Sequence, residues 1–261
     1  MPRIALGLEY DGTEFVGWQK QQTGRSIEAA LAEAVGAVAG EPVIVHGAGR
    51  TDAGVHALQQ VAHFDTSAER TSRQWLLGVN ANLPPDVAVR WALAVPTDFD
   101  ARRSATARRY RYAIAQRPGR PVLARRRVWW LHEALDCAAM SEAATHWLGE
   151  HDFSAFRAAG CQAKSPVRDL QAVRIERRAN QDYALVTLEF LANAFLQHMV
   201  RNLVGTLVEI GRDRLPVAAA AEILGSRDRT TAGMTAPAAG LTLIEVRYPA
   251  HYALPAAIED P

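Results

Sequence analysis

Residues 46–56, H-G-A-G-R-T-D-A-G-V-H, set an arginine and an aspartate in a glycine-rich turn between two apolar strand patterns. Gly47, Gly49 and Gly54 let a backbone bend sharply and let a large ligand come close. Asp52 projects from this turn, and the guanidinium of Arg50, two residues earlier, favours the charged carboxylate. A positioned carboxylate with no second acid beside it suits nucleophilic attack or stabilisation of transition-state charge. Aspartate is equally a preferred turn residue, with Arg50 then a solvated neighbour, and the spacing alone does not separate the two. Phosphate-loop chemistry fails on spacing: no lysine follows the glycines, and a dinucleotide fingerprint starting at Gly47 needs a glycine where Asp52 stands.

Two further constellations bear on Asp52. The stretch "NAFLQHMVRNLVGTLVEIG" (193–211) is apolar almost all round, the pattern of a largely buried helix. His198, Arg201 and Asn202 fall at i, i+3 and i+4, with Gly205 on the same stripe. A buried arginine needs an ionic partner, and no acid lies on that face. Asp52 is one candidate; Glu189, Glu209 or escape through the helix end are the others. In "SATARRYRY" (104–112), period-2 alternation puts Tyr110 and Tyr112 on one strand face and Arg109 and Arg111 on the other. Aromatics that stack bases beside arginines that hold phosphates recognise single-stranded or extruded nucleotides, although core tyrosines with solvated arginines make the same pattern. His46, His56 and His63 lack metal-ligand spacing, and no metal site is expected. Met199 and the Trp129-Trp130 pair read as core or interface.

The elements that must position these groups come from periodicity. Strand patterns at 4–10, 43–46, 60–65 and 87–95 and helical patterns at 26–38 and 71–78 run in the order βαββαβ. Strands at 109–115, 170–177, 183–190 and 241–248 and helices at 134–148 and 194–211 repeat that order, with "RRANQD" (177–182) as a hairpin signal. The expected fold is α/β of the α+β kind: two ferredoxin-like βαββαβ halves, residues 1–105 and 106–261. Each half would form a mainly antiparallel sheet with its helices on one face. The chain has 261 residues and a net charge of +1, yet ten arginines and no acid lie between Ala101 and His132, which points to nucleic acid unless arginine is simply the chain's preferred surface base. Two cysteines, Cys137 and Cys161, make no disulfide scaffold, and neither an apolar leader nor a membrane-length apolar run is present. A cytoplasmic protein with no membrane association is expected.

With these blocks in view, "GAGRTDAGVHALQQVAHF", "SATARRYRY" and "NAFLQHMVRNLVG" resemble the three motif blocks of the tRNA pseudouridine synthase A family. The stretches "LEYDGTEFVGWQKQ", "VNANLPPDVAVRW", "DFSAFRAAGCQAKSPVR" and "GLTLIEVRY" add to the resemblance, which runs from Ile4 to Tyr252 in one order. It implies isomerisation of uridine to pseudouridine at positions 38, 39 and 40 of the tRNA anticodon stem-loop, by base flipping and aspartate attack, without a cofactor. Asp52 matches the family's nucleophile, Tyr110 its active-site tyrosine and Arg201 the arginine paired with the aspartate. Arg50 matches an arginine that helps hold the RNA and the flipped nucleotide, and Arg109, Arg111 and His198 join the expected substrate-binding set. The resemblance also implies one mixed sheet around a central basic cleft, and a homodimer that shares the tRNA. One departure is Arg103, where members usually carry an aromatic residue. A non-catalytic RNA-binding protein of the same ferredoxin-like fold is the alternative, against which Asp52 speaks, because a carboxylate opposes affinity for a polyanion.

Overall fold

The computed structural model describes residues 1–179 and 183–256, which divide into two compact units. One unit holds Met1–Ala107 together with the chain from Thr242 onward; the other holds Arg108–Leu241. The first unit is therefore built from two separate stretches of chain, the second of which brings in the last strand.

In the first unit, β1 (Arg3–Tyr10) runs antiparallel to both β3 (His56–Asp65) and β4 (Val87–Val95). It is nearly all buried, as a central strand covered on both faces must be. A two-residue strand, β2 (His46–Gly47), pairs antiparallel with β3, giving the order β4-β1-β3-β2 that a βαββαβ unit requires. Helix α1 (Ile27–Ala39) is opened by Ser26, whose side chain accepts from the Ala29 N–H, and Ile27, Leu31, Ala34 and Val35 form its buried face. Helix α2 (Ser72–Asn82) starts with a full capping box between Thr71 and Gln74 and packs on α1 and β4. Residues 43–45 are not strand, and β3 begins four residues before the expected Gln60, directly after the glycine-rich turn. Strand β10 (Leu241–Arg247) then pairs in parallel with the start of β3, Thr242 opposite His56 and Leu243 opposite Ala57.

In the second unit, β5 (Ala107–Gln116), β9 (Ala184–Ala192), β8 (Val167–Ala179) and β7 (Gly149–Asp152) form an antiparallel run in that order. A short β6 (Trp129–Leu131) lies parallel to the end of β5. Strands β8 and β9 pair down to Ala179 opposite Ala184; the expected turn at 180–182 lies outside the described residues. Helix α3 (Cys137–Thr145), capped by Asp136 on the Ala138 and Ala139 N–H groups, packs on β8 and on α4 (Met199–Gly211). Helix α5 (Ala219–Ser226), like β6 and β7, is too short to show a clear period in the sequence. Helix α4 begins five residues later than the expected Ala194, because His198 has φ +62°, a left-handed backbone that cannot continue a right-handed helix. No helix among the described residues is long and apolar enough to cross a membrane.

The segment after β1 meets the turn before β3 at Gly12, where a Cβ would lie 2.0 Å from the Val55 carbonyl oxygen. Gly12→Ala is expected to destabilise the protein by about 3 kcal/mol, as overpacking against immovable backbone does. Urea denaturation with an unchanged midpoint would contradict that contact.

Candidate active site

The turn that carries Asp52 is built almost wholly from backbone. The Val55 N–H donates to the Asp52 carbonyl at 3.1 Å, and Gly54 has φ +77°, so 52–55 is a type II turn whose third position demands glycine. The Gly54 N–H donates to the Phe15 carbonyl at 3.3 Å, so closing the turn does not need the Asp52 side chain. On the other side, Trp18 N–H donates to the Thr51 carbonyl at 3.0 Å, and Gly17 forms an antiparallel bridge with Asp52. Gly17 itself has φ +106°, and a Cβ there would lie 2.6 Å from the Thr51 oxygen. The segment Gly12–Trp18 thus forms one wall that fixes the turn, a role the sequence pattern did not assign to it.

Buried side chains fix the other wall. The Tyr10 hydroxyl lies 2.9 Å from Thr51 Oγ1, and Gln60 Nε2 donates to the Gly49 carbonyl at 2.9 Å and reaches the Tyr10 oxygen at 3.5 Å. Gly47 is needed because a Cβ would come within 2.4 Å of the Trp18 ring. Gly49 has no positive φ, and open space surrounds the point where a Cβ would stand, so its backbone freedom is not used here. Thr51 is buried, Asp52 half-buried and Arg50 exposed, which places the aspartate at the rim of a rigid loop. His63 ends up buried within the unit, where its Nδ1 accepts from the Ala101 N–H and burial holds the ring down at about 4, so it is a neutral structural group.

The other expected site residues lie in the second unit. On β5, Tyr110 and Tyr112 are buried on one face while Arg109 and Arg111 occupy the other. Arg111 Nε donates to Glu189 Oε1 at 2.9 Å, and Arg109 Nη1 stands 3.6 Å from Oε2 of the same carboxylate, directly across the ladder on β9. Two guanidiniums thus converge on one carboxylate on that face. The Tyr110 ring meets Phe195 edge-to-face at 5.2 Å, an aromatic pairing for which no spacing rule in the sequence prepared. His198 occupies the first, left-handed position before α4, and so stands apart from the helical stripe shared by Arg201, Asn202 and Gly205. Arg201 Nε donates to the Ala236 carbonyl at 2.7 Å, and its charge acts on the buried Tyr112 phenol, whose titration burial drives well upward. Glu209, one expected partner of Arg201, is engaged by Arg212 and Arg214, and Glu189 by Arg109 and Arg111. Among the described residues no group of three or more His, Cys, Asp or Glu side chains is arranged to hold a metal ion.

The family model described as tRNA pseudouridine synthase matches residues 8–102 and 143–249, segments that include the Asp52 turn and helix α4 but not Tyr110. The tRNA pseudouridine synthase A of Nitrosococcus oceani is 51% identical over 253 residues, covering 97% of this chain and 96% of the relative. The Klebsiella pneumoniae protein of the same name is 50% identical over 253 residues, 97% of this chain and 92% of its own length. That of Alcanivorax borkumensis is 49% identical over 256 residues, 98% of this chain and 94% of its own.

Tyr10 tests the anchoring of the turn. Burial raises its phenol to about 12, with the Thr51 and Gln60 hydrogen bonds acting in the opposite direction. The neutral phenol is thus the form the fold prefers: this stabilisation is complete below the unfolded value near 10 and is lost as pH rises from about 10 through 12. Tyr10→Phe should lower stability at pH 7 by about 1 kcal/mol by stranding Thr51 Oγ1, and should flatten the alkaline loss above pH 10. Thermal melts that show the same alkaline slope in both proteins would refute this anchoring.

Proposed function

The chain belongs to the tRNA pseudouridine synthase family, and from that premise we infer that it is an enzyme that isomerises uridine to pseudouridine in tRNA. The observation that carries this is near-half identity to synthases over almost the entire chain, both units included. A non-catalytic RNA-binding protein is not favoured by such relatives.

The reaction breaks the N1–C1′ glycosidic bond, turns the uracil and joins C5 to C1′; C5 gives up its proton and N1 gains one, so the overall composition is unchanged. Nothing is oxidised and no group is carried, so the reading calls for no cofactor. In the finer reading the targets are positions 38, 39 and 40 of the anticodon stem-loop. A uridine within a stem first leaves the stack, at a cost of a few kcal/mol. Arg50, exposed at the tip of the turn, helps hold the RNA and the flipped nucleotide. The Asp52 carboxylate attacks the extruded nucleoside, a role supported by its half-buried position in a turn that main-chain hydrogen bonds hold in place. Tyr110 stacks on the uracil and Arg201 serves as counter-ion to Asp52, with His198 among the groups that bind substrate. Arg109 and Arg111, on the outer face of β5, are among the groups that bind substrate. A homodimer that shares the tRNA, working in the cytoplasm, completes this reading.

Two measurements test it. On an unmodified tRNA transcript without added metal or cofactor, wild type should give carbodiimide-dependent reverse-transcription stops in the anticodon stem-loop. Asp52→Ala should give none, a loss of at least about 10³-fold, while retaining tRNA affinity in filter binding. Binding by both proteins with product from neither would return Asp52 to the role of a turn residue. If the arginines between residues 102 and 127 track phosphates, tRNA affinity should also fall steeply with salt, with a log–log slope of several units. A nearly flat salt dependence would remove that segment from the RNA interface.

A further inference from the structure

Within the second unit, residues 233–237 lie along α4 in backbone contact with it. A Cβ at Gly205 would stand 1.7 Å from the Met234 carbonyl oxygen, and one at Gly233 would stand 2.8 Å from the Gly205 backbone. Two glycines therefore face each other where the ribbon crosses the helix, and no larger pair of residues permits that approach. Polar contacts then pin the ribbon residue by residue. The Gly233 N–H donates to Thr206 Oγ1 at 3.0 Å, Thr235 Oγ1 donates to Asn202 Oδ1 at 2.7 Å, and the Ala236 N–H donates to the Arg201 carbonyl at 3.1 Å. The Tyr112 hydroxyl closes the run by donating to the Pro237 carbonyl at 2.7 Å.

This ribbon presents the Ala236 carbonyl that accepts from Arg201 Nε at 2.7 Å, so its placement sets the direction of the Arg201 guanidinium. One buried junction fixes that placement. Asn202 is fully buried; its Nδ2 donates to the Phe156 carbonyl at 2.8 Å, and its Oδ1 accepts from Thr235 and from Arg229 Nη2, the latter at 3.0 Å. The same Arg229 nitrogen also donates to Thr235 Oγ1 at 3.0 Å, which closes a three-membered ring of polar groups. An arginine partly withdrawn from water is costly unless its donors are satisfied. Here Nη2 donates to the two groups that tie the ribbon to the helix, while Nη1 donates to the Ala232 carbonyl at 3.4 Å.

We infer that Arg229 and Thr235, acting through Asn202, are positioning residues for the isomerisation: they lock the 233–237 ribbon and thereby aim Arg201. This rests on the role given to Arg201 above. A misplacement of about 1 Å costs up to two orders of magnitude in rate, so a partial loosening should cost about one.

The test uses the full chain and an unmodified tRNA transcript under single-turnover conditions. Thr235→Val and Arg229→Ala should each slow pseudouridine formation about tenfold while tRNA affinity stays within about twofold. Thr235→Ser, which keeps the hydroxyl, should restore the rate. In an Arg201→Ala background neither substitution should slow the reaction further, because there is no guanidinium left to aim. A purely structural role would instead lower the melting temperature and reduce the rate equally in both backgrounds, and that result overturns the inference. So does full activity of Thr235→Val and Arg229→Ala when Arg201→Ala is impaired. Should Arg229→Ala not fold, Thr235→Val with its Thr235→Ser control decides alone. Full activity of Arg201→Ala would be a different failure, removing the role assigned to Arg201 itself.

Discussion

The glycine-rich turn around Asp52 is the most constrained stretch of the first unit, and main-chain groups hold it: a type II turn closed by the Val55 N–H, a bridge from Gly17, and donors from Trp18 and Gly54. Each of these contacts sets a requirement elsewhere. Gly54 and Gly17 need positive φ, Gly12 and Gly47 need to lack a side chain, and Thr51 needs the buried Tyr10 hydroxyl. Four glycines of the first unit, Gly12, Gly17, Gly47 and Gly54, are thus required by the fixing of one turn.

The second unit solves a related problem with charge. Arginines crowd β5, with Arg201 on α4 and Arg212 and Arg214 just beyond its end, and an interior cannot hold unpaired guanidiniums. Glu189 takes two of them on the outer face of β5, Glu209 takes two at the end of α4, and Arg201 and Arg229 donate to backbone and amide oxygens. Carboxylates thus neutralise arginines of β5 and of the segment after α4, while a main-chain oxygen directs Arg201 Nε and an amide oxygen directs Arg229 Nη2.

Long amphipathic or alternating segments were legible in the sequence: β1, α1, β4, β5 and β9 lie within a few residues of where periodicity puts them, because their burial pattern is local. The late start of α4 was not, since a left-handed histidine leaves no mark on hydrophobic period. Nor were β6, β7 and α5, which are stabilised by neighbours and not by their own pattern. The motif around Asp52 announced a special turn, but the supports of that turn, Tyr10, Gly17 and Gln60, are distant in sequence and look like ordinary strand or loop residues. The pairing of Phe195 with Tyr110 escaped for the same reason. Spacing rules find groups that share an element, and these groups are brought together by tertiary packing.

The parallel pairing of β10 with β3 has a consequence in time. His56 and Ala57 begin the strand next to the Asp52 turn, yet their partners Thr242 and Leu243 are made 186 residues later. At about 5–20 residues per second, a ribosome leaves this stretch of strand without its β10 partner for roughly 10–40 s. The first unit therefore waits for the second to be synthesised before its sheet is complete, and a chain cut short before residue 241 would carry the Asp52 turn on an unfinished edge, a template for unwanted strand pairing. Translation order, as well as contact energy, bears on when this protein becomes an enzyme.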